Sequence, residues 1–313
     1  MMEFNRFPFA HTFSIVARDP QTGEMGVAVQ SHWFSTGSVV TWAEPGVGAI
    51  ATQSMAEVSY GPLGLFQLQQ NKSSHVVLRE LLEKDANREV RQVAMVDADG
   101  NIAVHTGERC IAEAGHQTGE QYSVQANMML KPTVWPAMAA AYEAAPGCLA
   151  ERMLAALDAA QTEGGDIRGK QSAALLIVSG TGTVEPWKGV LVDLRVEDHP
   201  EPLVELRRLY NIQRAYEYMN SGDDLLSKGM VEEAFTAYDN ATRLAPDIIE
   251  LPFWQAVTLI ETGREEQALP ILAKVITAEP NWLTLIERLP AAGLLRDDSA
   301  LLERIRAFVK KSK

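Results

Sequence analysis

The sequence predicts an α+β domain built as a four-layer α-β-β-α sandwich, followed by an all-α domain of helical repeats. Three observations favour this architecture. Strand-like and helix-like patterns arrive in blocks over the first 200 residues, which indicates antiparallel sheets covered by helix layers. From about residue 203 the pattern is helical and repeats every 34 residues. The length of 313 residues suits two domains, which we assign to 1–208 and 209–313.

The first elements form a hairpin. Apolar residues alternate from Thr12 to Arg18, and a second strand covers Met25–Gln30 after a turn that ends at Gly23. Two shorter strands are predicted at Ser38–Trp42 and Val47–Gln53. Two helices should then begin near Pro62 and near Ser73.

A second block of strands and helices completes the domain. Two alanine-rich helices are predicted, and Gly164 and Gly165 follow the second of them. The predicted strands are Arg91–Asp97, Ile102–His105, Tyr122–Asn127, Ser172–Val178 and Gly189–Leu194, and the helices are Val134–Ala144 and Leu149–Thr162.

The C-terminal third carries a repeat. Three positions recur 34 residues apart, as Gly229, Ala234 and Pro246 and then as Gly263, Ala268 and Pro280. This period and these small residues are typical of tetratricopeptide helix pairs, and a degenerate third unit is predicted near Asp297. Because stacked helix pairs expose a groove, we expect these repeats to bind a protein partner or a second copy of the chain.

Composition excludes several classes of function. The net charge of −13 and the pI near 5.0 argue against nucleic acid and against anionic membranes. Cys110 and Cys148 cannot form a disulfide framework, and no spacing of histidines and cysteines suits a metal, so no cofactor is predicted. The N-terminus lacks the apolar run of a signal peptide and no stretch is long enough to span a bilayer, which predicts a cytoplasmic protein.

Several long blocks resemble a known family. They read HTFSIVARDPQTGEMGVAVQSHWF, GVGAIATQS, SYGPLGL, RQVAMVDADGNIAVHTG, AGHQTGEQYSVQANMM and GGDIRGKQSAALLIV. Residues 11 to about 208 are thereby similar to the domain-of-unknown-function 1028 family of the N-terminal-nucleophile hydrolase superfamily. The resemblance implies the same α-β-β-α sandwich. It also implies a Thr, Ser or Cys nucleophile that opens the first strand and is freed by self-cleavage, so that its own α-amine serves as base.

Thr12, which follows His11, holds that position here. A hydroxyl needs an adjacent base to act as a nucleophile, and a terminal amine titrates near neutral pH. Three interpretations stay open at this stage. Thr12 is freed by removal of residues 1–11, or it acts within the intact chain, or it is a structural strand residue.

Other polar residues at predicted strand ends and in one loop complete the candidate site. Ser31 is a second catalytic candidate, and Asn127 could donate a hydrogen bond to an oxyanion. Arg168 offers a planar fork for a carboxylate, which favours an anionic substrate, although Asp166 and Arg168 could instead pair with each other. The predicted substrate-binding residues are Gln30, His32, Gln53, Asp166, Arg168 and Gln171.

The sequence therefore leaves two functions open. The first is an amidohydrolase that acts on a small-molecule C–N bond of amide or ureide type, with Thr12 as nucleophile. The second is a non-catalytic ligand-binding protein or scaffold that keeps the sandwich without the chemistry. Neither the substrate nor the oligomeric state follows from the residues alone, because a fold does not fix a function.

Overall fold

The computed structural model describes residues 9–311 of the chain, with the side chain of Phe9 excepted. The chain divides into two compact units, Met1–Arg207 and Arg208–Lys313. The N-terminal unit contains both β-sheets, and the C-terminal unit is helical. The protein is therefore a mixed α+β chain with a helical C-terminal region.

The N-terminal unit contains a five-stranded and a six-stranded antiparallel sheet. In the five-stranded sheet the order is β1-β5-β6-β7, with β4 also paired to β5. Its strands are β1 (Phe9–Ala10), β4 (Thr41–Glu44), β5 (Gly48–Met55), β6 (Arg91–Asp97) and β7 (Ile102–Thr106). The six-stranded sheet has the order β11-β10-β3-β2-β9-β8. Its strands are β2 (Thr12–Arg18), β3 (Met25–Ser31), β8 (Gly115–Gly119), β9 (Tyr122–Ala126), β10 (Ser172–Val178) and β11 (Val190–Val196).

The predicted hairpin is confirmed as β2 and β3. Asp19 stabilises the turn, because its Oδ1 accepts hydrogen bonds from the backbone amides of Gln21 at 2.8 Å and Thr22 at 3.0 Å. Gly23 ends the turn with φ +76°, a conformation that favours glycine. The resulting register pairs Thr12 with Ser31, so the two hydroxyl residues lie side by side at one end of the hairpin.

The two sheets pack face to face. Val16, Val29 and Ala174 of the six-stranded sheet share a buried apolar cluster with Ala51 and Val96 of the five-stranded sheet. Because successive side chains of a strand point to opposite faces, the intervening residues of β2 and β3 point away from the five-stranded sheet, toward the helices on the outer face. This alternation decides which predicted site residues can meet between the sheets.

Helices cover the outer faces of both sheets. Helices α2 and α3 pack on the five-stranded sheet, where Leu65 and Leu81 join a core with Ile50 and Met95. Helices α4 and α5 pack on the six-stranded sheet. The helices of this unit are α1 (Gly37–Val40), α2 (Tyr60–Leu68), α3 (Ser74–Lys84), α4 (Val134–Ala144) and α5 (Leu149–Thr162).

The strand predicted at Ser38–Trp42 is wrong in its first half. The β-branched residues there suggest a strand, but the amides of Val39 and Val40 both donate to the carbonyl of Thr36 and close a helical turn. Gly37 permits this turn to approach β10, because a Cβ at that position would lie 2.5 Å from the Cβ of Ala174. The strand begins only at Thr41.

The C-terminal unit consists of helices around one core. Ala234, Tyr238, Phe253, Leu259 and Leu272 are among its fully buried members. The helices are α6 (Pro202–Ser227), which contains the boundary between the units, α7 (Val231–Leu244), α8 (Glu250–Glu261), α9 (Glu265–Ala278), α10 (Asn281–Arg288) and α11 (Ser299–Lys311).

Positions 34 residues apart have the same environment. Gly229 follows α6 with φ +79° and Gly263 follows α8 with φ +80°, as is usual for the glycine that ends a helix. Ala234 and Ala268 are both fully buried in the next helix. The two helix ends and the two alanines thus share the same local geometry and burial. Within the described range 9–311, no helix has both the length and the apolar character needed to cross a lipid bilayer.

Candidate functional site

Three of the predicted residues converge around the backbone of Thr12, itself the fourth. Ser31 is its register partner on β3. The backbone amide of Asn127, directly after β9, donates to the Thr12 carbonyl at 3.1 Å. Gln53 reaches the same carbonyl from the five-stranded sheet, at 3.3 Å from its Nε2. The site thus lies where the ends of β2, β3 and β9 meet the facing sheet.

Two hydrogen-bond donors hold the carbonyl of His11, which precedes Thr12. The hydroxyl of Ser31 donates to this oxygen at 2.6 Å and Nη2 of Arg168 donates to it at 2.8 Å. These distances are those of a group that stabilises a developing oxyanion. The peptide bond between His11 and Thr12 is therefore polarised more strongly than an ordinary backbone amide.

Arg168 is oriented by Asp166. Oδ1 of Asp166 accepts from Nε of Arg168 at 3.0 Å and Oδ2 accepts from Nη2 at 2.7 Å. The carboxylate is buried, whereas about a quarter (26%) of the Arg168 side chain is exposed. The alternative in which the two residues pair with each other is the arrangement observed. Such a bidentate pair fixes the plane of the guanidinium.

Thr12 is fully buried and its hydroxyl donates to the carbonyl of Ala10 at 2.6 Å. The two residues of β1 pair with β5, with Ala10 opposite Ser54. Ala10 is thereby fixed in the five-stranded sheet two residues before Thr12. The hydroxyl of Thr12 belongs to the residue that directly follows the carbonyl held by Ser31 and Arg168.

The imidazole of His11 is buried beside Asn127, with Nδ1 at 2.8 Å from Oδ1 of Asn127. Burial lowers the pKa of His11 below its usual value. The hydrogen bond that the ring makes to Asn127 opposes this effect, the positive charge of Arg168 adds to it, and the negative charge of Asp166 opposes it. The ring is accordingly favoured in its neutral form.

A network of buried amides surrounds the site, and its centre, Gln92, was missed by the sequence analysis. Oε1 of Gln92 accepts from Nε2 of Gln53 at 2.7 Å and from Nδ2 of Asn127 at 2.8 Å. Ser14 donates to Oε1 of Gln53 at 2.6 Å and accepts from Gln125 at 2.6 Å. The available signal was a polar residue in the otherwise apolar strand Arg91–Asp97, because a buried amide must find partners.

Gln30 does not join the site. It is the register partner of Phe13, and the ring of Phe13 lies on the α5 side of the sheet, near Gly165. Alternation therefore places Gln30 on the face away from the five-stranded sheet, and the prediction that it converges with Thr12 is wrong. Among residues 9–311 its buried amide has no hydrogen-bond partner.

The remaining predicted residues lie at the edge of the site. The backbone amide of His32 donates to Oδ2 of Asp166 at 3.2 Å, but its exposed ring lies 3.3 Å from the carbonyl of Lys170. The side chain of Gln171 donates to Asp198 at 3.2 Å. In the part of the chain that the structure describes, no group of three or more His, Cys, Asp or Glu is arranged to hold a metal ion.

Residues 9–207 thus form an α+β domain of two packed antiparallel sheets, with a buried polar site at the ends of three strands. The sequence profile of the family of unknown function DUF1028 matches residues 12–206, and the chain belongs to this family.

The solved structure of a family member agrees with this assignment. Protein SPO2555 from Silicibacter pomeroyi, a DUF1028 member, is 30% identical with a TM-score of 0.57, over 64% of this chain and 88% of that chain. Anbu (ancestral beta-subunit) from Yersinia bercovieri is 12% identical with a TM-score of 0.31, over 64% of this chain and 93% of that chain. No curated protein matches the chain.

Proposed function

We propose that the protein hydrolyses C–N bonds of small amides or ureides, with the hydroxyl of Thr12 as nucleophile after cleavage of the His11–Thr12 bond. One observation carries the proposal. The carbonyl of His11 is held by Ser31 and Arg168 at 2.6 and 2.8 Å, directly before a residue that bears a hydroxyl. Two donors at a backbone carbonyl assist nucleophilic attack on its carbon, because they stabilise the negative charge that develops on the oxygen.

The proposed cleavage balances without a cofactor. Oγ1 of Thr12 attacks the carbonyl carbon of His11 and the negative charge develops on the oxygen held by Ser31 and Arg168. The C–N bond then breaks, and the nitrogen of Thr12 takes up the proton lost by the hydroxyl. Water hydrolyses the resulting ester, which leaves a carboxylate on His11, a restored hydroxyl and a free α-amine on Thr12.

The same groups then serve a substrate. The α-amine of Thr12, with a typical pKa near 8, accepts the proton of its own hydroxyl as that hydroxyl attacks. Ser31 and Arg168 offer their hydrogens to the substrate carbonyl. We assign the oxyanion role to Ser31 and Arg168 and not to Asn127 as first predicted. The Nδ2 hydrogens of Asn127 are directed to Gln92 and to the Thr12 carbonyl, at 2.8 and 3.5 Å.

Family membership and the layered packing support the finer description of the fold. Helix pairs outside two face-to-face sheets are what a four-layer sandwich of the N-terminal-nucleophile hydrolase type requires. In this proposal the hydrolase superfamily supplies the reaction class and this chain supplies the residues.

We assign the C-terminal unit to tetratricopeptide-like repeats that bind a protein partner or a second copy of the chain. A groove of about 380 Å³ supports this assignment. Its walls include Ile249, Pro252, Ile271 and Val275, with Lys274 beside them. Light scattering on the full chain measures the self-association directly.

The hydrolase proposal is tested by a screen of amides and ureides with the purified chain. We expect hydrolysis by the unmodified chain and by Thr12→Ser, since both keep a hydroxyl, and none by Thr12→Ala. Thr22→Ala is the matched control, because Thr22 lies in an exposed turn. Equal turnover by Thr12→Ala and the unmodified chain would remove Thr12 from the chemistry.

The second candidate is a non-catalytic ligand-binding protein. The full burial of Thr12, whose hydroxyl is directed at the carbonyl of Ala10 on the paired strand β1, favours it. This candidate predicts ligand binding without turnover, together with an uncleaved chain.

A further inference from the structure

Backbone carbonyls fix the orientation of Gln92. Its Nε2 lies 2.9 Å from the carbonyl oxygen of Ala126 and 3.2 Å from that of Gly115. A carbonyl can only accept a hydrogen bond, so the nitrogen of the Gln92 amide must face these two oxygens. The oxygen of the same amide must therefore face the other way, toward Gln53 and Asn127.

The orientation of Asn127 follows from that of Gln92. Oε1 of Gln92 lies 2.8 Å from the Asn127 amide and requires a donor there. The carbonyl of Thr12, at 3.5 Å from the same Asn127 nitrogen, requires a donor independently. Both constraints place Nδ2 of Asn127 on the network side, so its Oδ1 is the atom directed at the imidazole of His11.

Gln53 provides a second check on this assignment. Its Nε2 is directed at Oε1 of Gln92, at 2.7 Å, and at the carbonyls of Thr12 and Gln125. Its Oε1 accepts from the hydroxyl of Ser14 at 2.6 Å. Reversing any one of the three amides would set oxygen against oxygen at a buried position, where an unsatisfied polar group is costly.

From this network we infer that the pocket filled by the His11 side chain is a site for a neutral hydrogen-bond donor. Gln92 and Asn127 give the pocket this preference. The pocket presents the oxygen of Asn127, while Ser31 and Arg168 present hydrogens to the adjoining carbonyl. That this pocket binds part of a substrate rests on the proposed function. It assigns the substrate class as amides whose acyl part carries an uncharged N–H donor, such as an imidazole or a carboxamide.

Two features of His11 agree with this polarity. The ring is buried and its pKa is lowered, so it is neutral and carries one N–H. That hydrogen must lie on Nδ1, because Nδ1 is 2.8 Å from an oxygen that only accepts. Gln92 does not touch the imidazole in this arrangement. It is a positioning residue that acts through Asn127.

The tautomer of His11 tests the inference without any need for catalysis. The full chain carrying Thr12→Ala keeps His11 attached, and its imidazole nitrogens are observed by ¹⁵N NMR at neutral pH, with His11→Gln used to assign the signals. We expect the proton on Nδ1. Gln92→Met should raise the fraction protonated on Nε2, because Asn127 then loses its 2.8 Å acceptor on Gln92 and keeps the longer, 3.5 Å contact with the Thr12 carbonyl.

Substrate preference supplies a second readout. The cleaved protein is expected to hydrolyse histidinamide and glutaminamide about five- to tenfold better in kcat/KM than methioninamide, whose side chain has similar bulk and no N–H donor. Gln92→Met should reduce this preference toward unity without abolishing turnover of methioninamide.

The outcomes separate the two proposals. A proton on Nε2 of His11 in the Thr12→Ala chain overturns the inference, as does equal turnover of all three amides. A proton on Nδ1 together with no hydrolysis of any amide supports the polarity of the pocket and counts against the hydrolase. If Thr12→Ala does not fold, the Thr12→Val chain serves for the same measurement.

Discussion

The chemistry of the site depends on the hydroxyl of Ser31 and the carbonyl of His11, 2.6 Å apart. A serine hydroxyl has other acceptors available at the surface, yet this one is fully buried and directed at a backbone oxygen. Together with the guanidinium of Arg168, it supplies the two donors that a tetrahedral oxyanion requires.

Replacing Ser31 with Ala tests this arrangement. We predict that Ser31→Ala slows cleavage at Thr12 by about 100-fold, because one oxyanion donor is lost while the buried position accepts a methyl group. The cleaved fraction is followed by mass spectrometry after purification from a short expression pulse. Ser38→Ala is the control, since its exposed hydroxyl donates to the carbonyl of Ser35 and accepts from the hydroxyl of the same residue, away from the site. An unchanged rate would exclude Ser31 from the oxyanion site.

The sequence predicted part of this site because strand ends are recognisable. The alternation of β2 and β3 sets the register of Thr12 with Ser31, and Asn127 follows an alternating strand. Gln92 was not predicted as a site residue because it lies inside an apolar strand and its partners come from strands distant in sequence. Gln30 was misassigned because a one-residue step along β3 reverses the face to which a side chain points.

In the N-terminal unit a buried arginine, Arg91, connects one helix with two strands. Arg91, at the start of β6, is almost fully buried (1% exposed) and its Nε donates to Asp85, at the end of α3, at 2.8 Å. Its Nη1 donates to the carbonyl of Met55, at the end of β5, at 2.6 Å. One side chain therefore joins a helix to two neighbouring strands.

We predict that Arg91→Met lowers the free energy of unfolding by about 2–3 kcal/mol, because a partly buried carboxylate and a partly buried carbonyl each lose a donor. Urea unfolding monitored by circular dichroism measures the change. Arg79→Met is the control, since Arg79 pairs with Glu83 at 4.0 Å on an exposed helix face and such pairs contribute little. Equal effects of the two substitutions would contradict the assignment of Arg91 as a buried connector.

The same contact gives stability a dependence on pH. Burial alone would raise the pKa of Asp85, but hydrogen bonds from Arg91 and from the backbone amide of Asn87 hold that pKa below its ordinary value. The stability contributed by Asp85 is therefore complete above about pH 4 and is lost as the pH falls through the lowered folded-state pKa. The loss of stability below about pH 4 should be smaller in Arg91→Met than in the unmodified chain.

Helix packing in the C-terminal unit depends on Gly222 in α6. A Cβ at this position would lie 2.4 Å from Cε1 of Tyr238 in α7, so the two helices approach closely only because the residue is glycine. We predict that Gly222→Ala lowers the unfolding free energy of this unit by about 1–2 kcal/mol, despite the better helix propensity of alanine. Ser221→Ala, on the exposed side of the same turn, should leave stability unchanged or slightly higher in the same urea titration.

Helices were predicted correctly where the apolar periodicity ends at a helix-breaking residue. Val134–Ala144 and Leu149–Thr162 were predicted with their observed bounds, because a regular apolar face ends in glycine or proline at each. The strand Gly115–Gly119 was missed, since its sequence Gly-His-Gln-Thr-Gly has no apolar alternation and its order comes from pairing with β9. Local pattern cannot reveal a strand that is held by its neighbour alone.

At the scale of the whole molecule, every residue of the candidate site belongs to the N-terminal unit, and so do both sheets, the last strand of which ends at Val196. We therefore predict that a chain ending at Arg208 folds and is cleaved at the same rate as the full chain. Circular dichroism checks the fold and mass spectrometry checks the cleavage. An insoluble short chain would mean that the C-terminal unit supports the fold of the first.

The central claim is that the protein cleaves its own His11–Thr12 bond and then uses the freed Thr12. Intact-mass measurement combined with N-terminal sequencing of the full chain, produced without any N-terminal tag, tests it most directly. We expect a chain that begins at Thr12 and lacks the mass of residues 1–11, whereas the Thr12→Ala chain keeps the full 34.4 kDa. An unmodified chain that retains residues 1–11 after prolonged incubation at neutral pH would rule out self-cleavage at the His11–Thr12 bond.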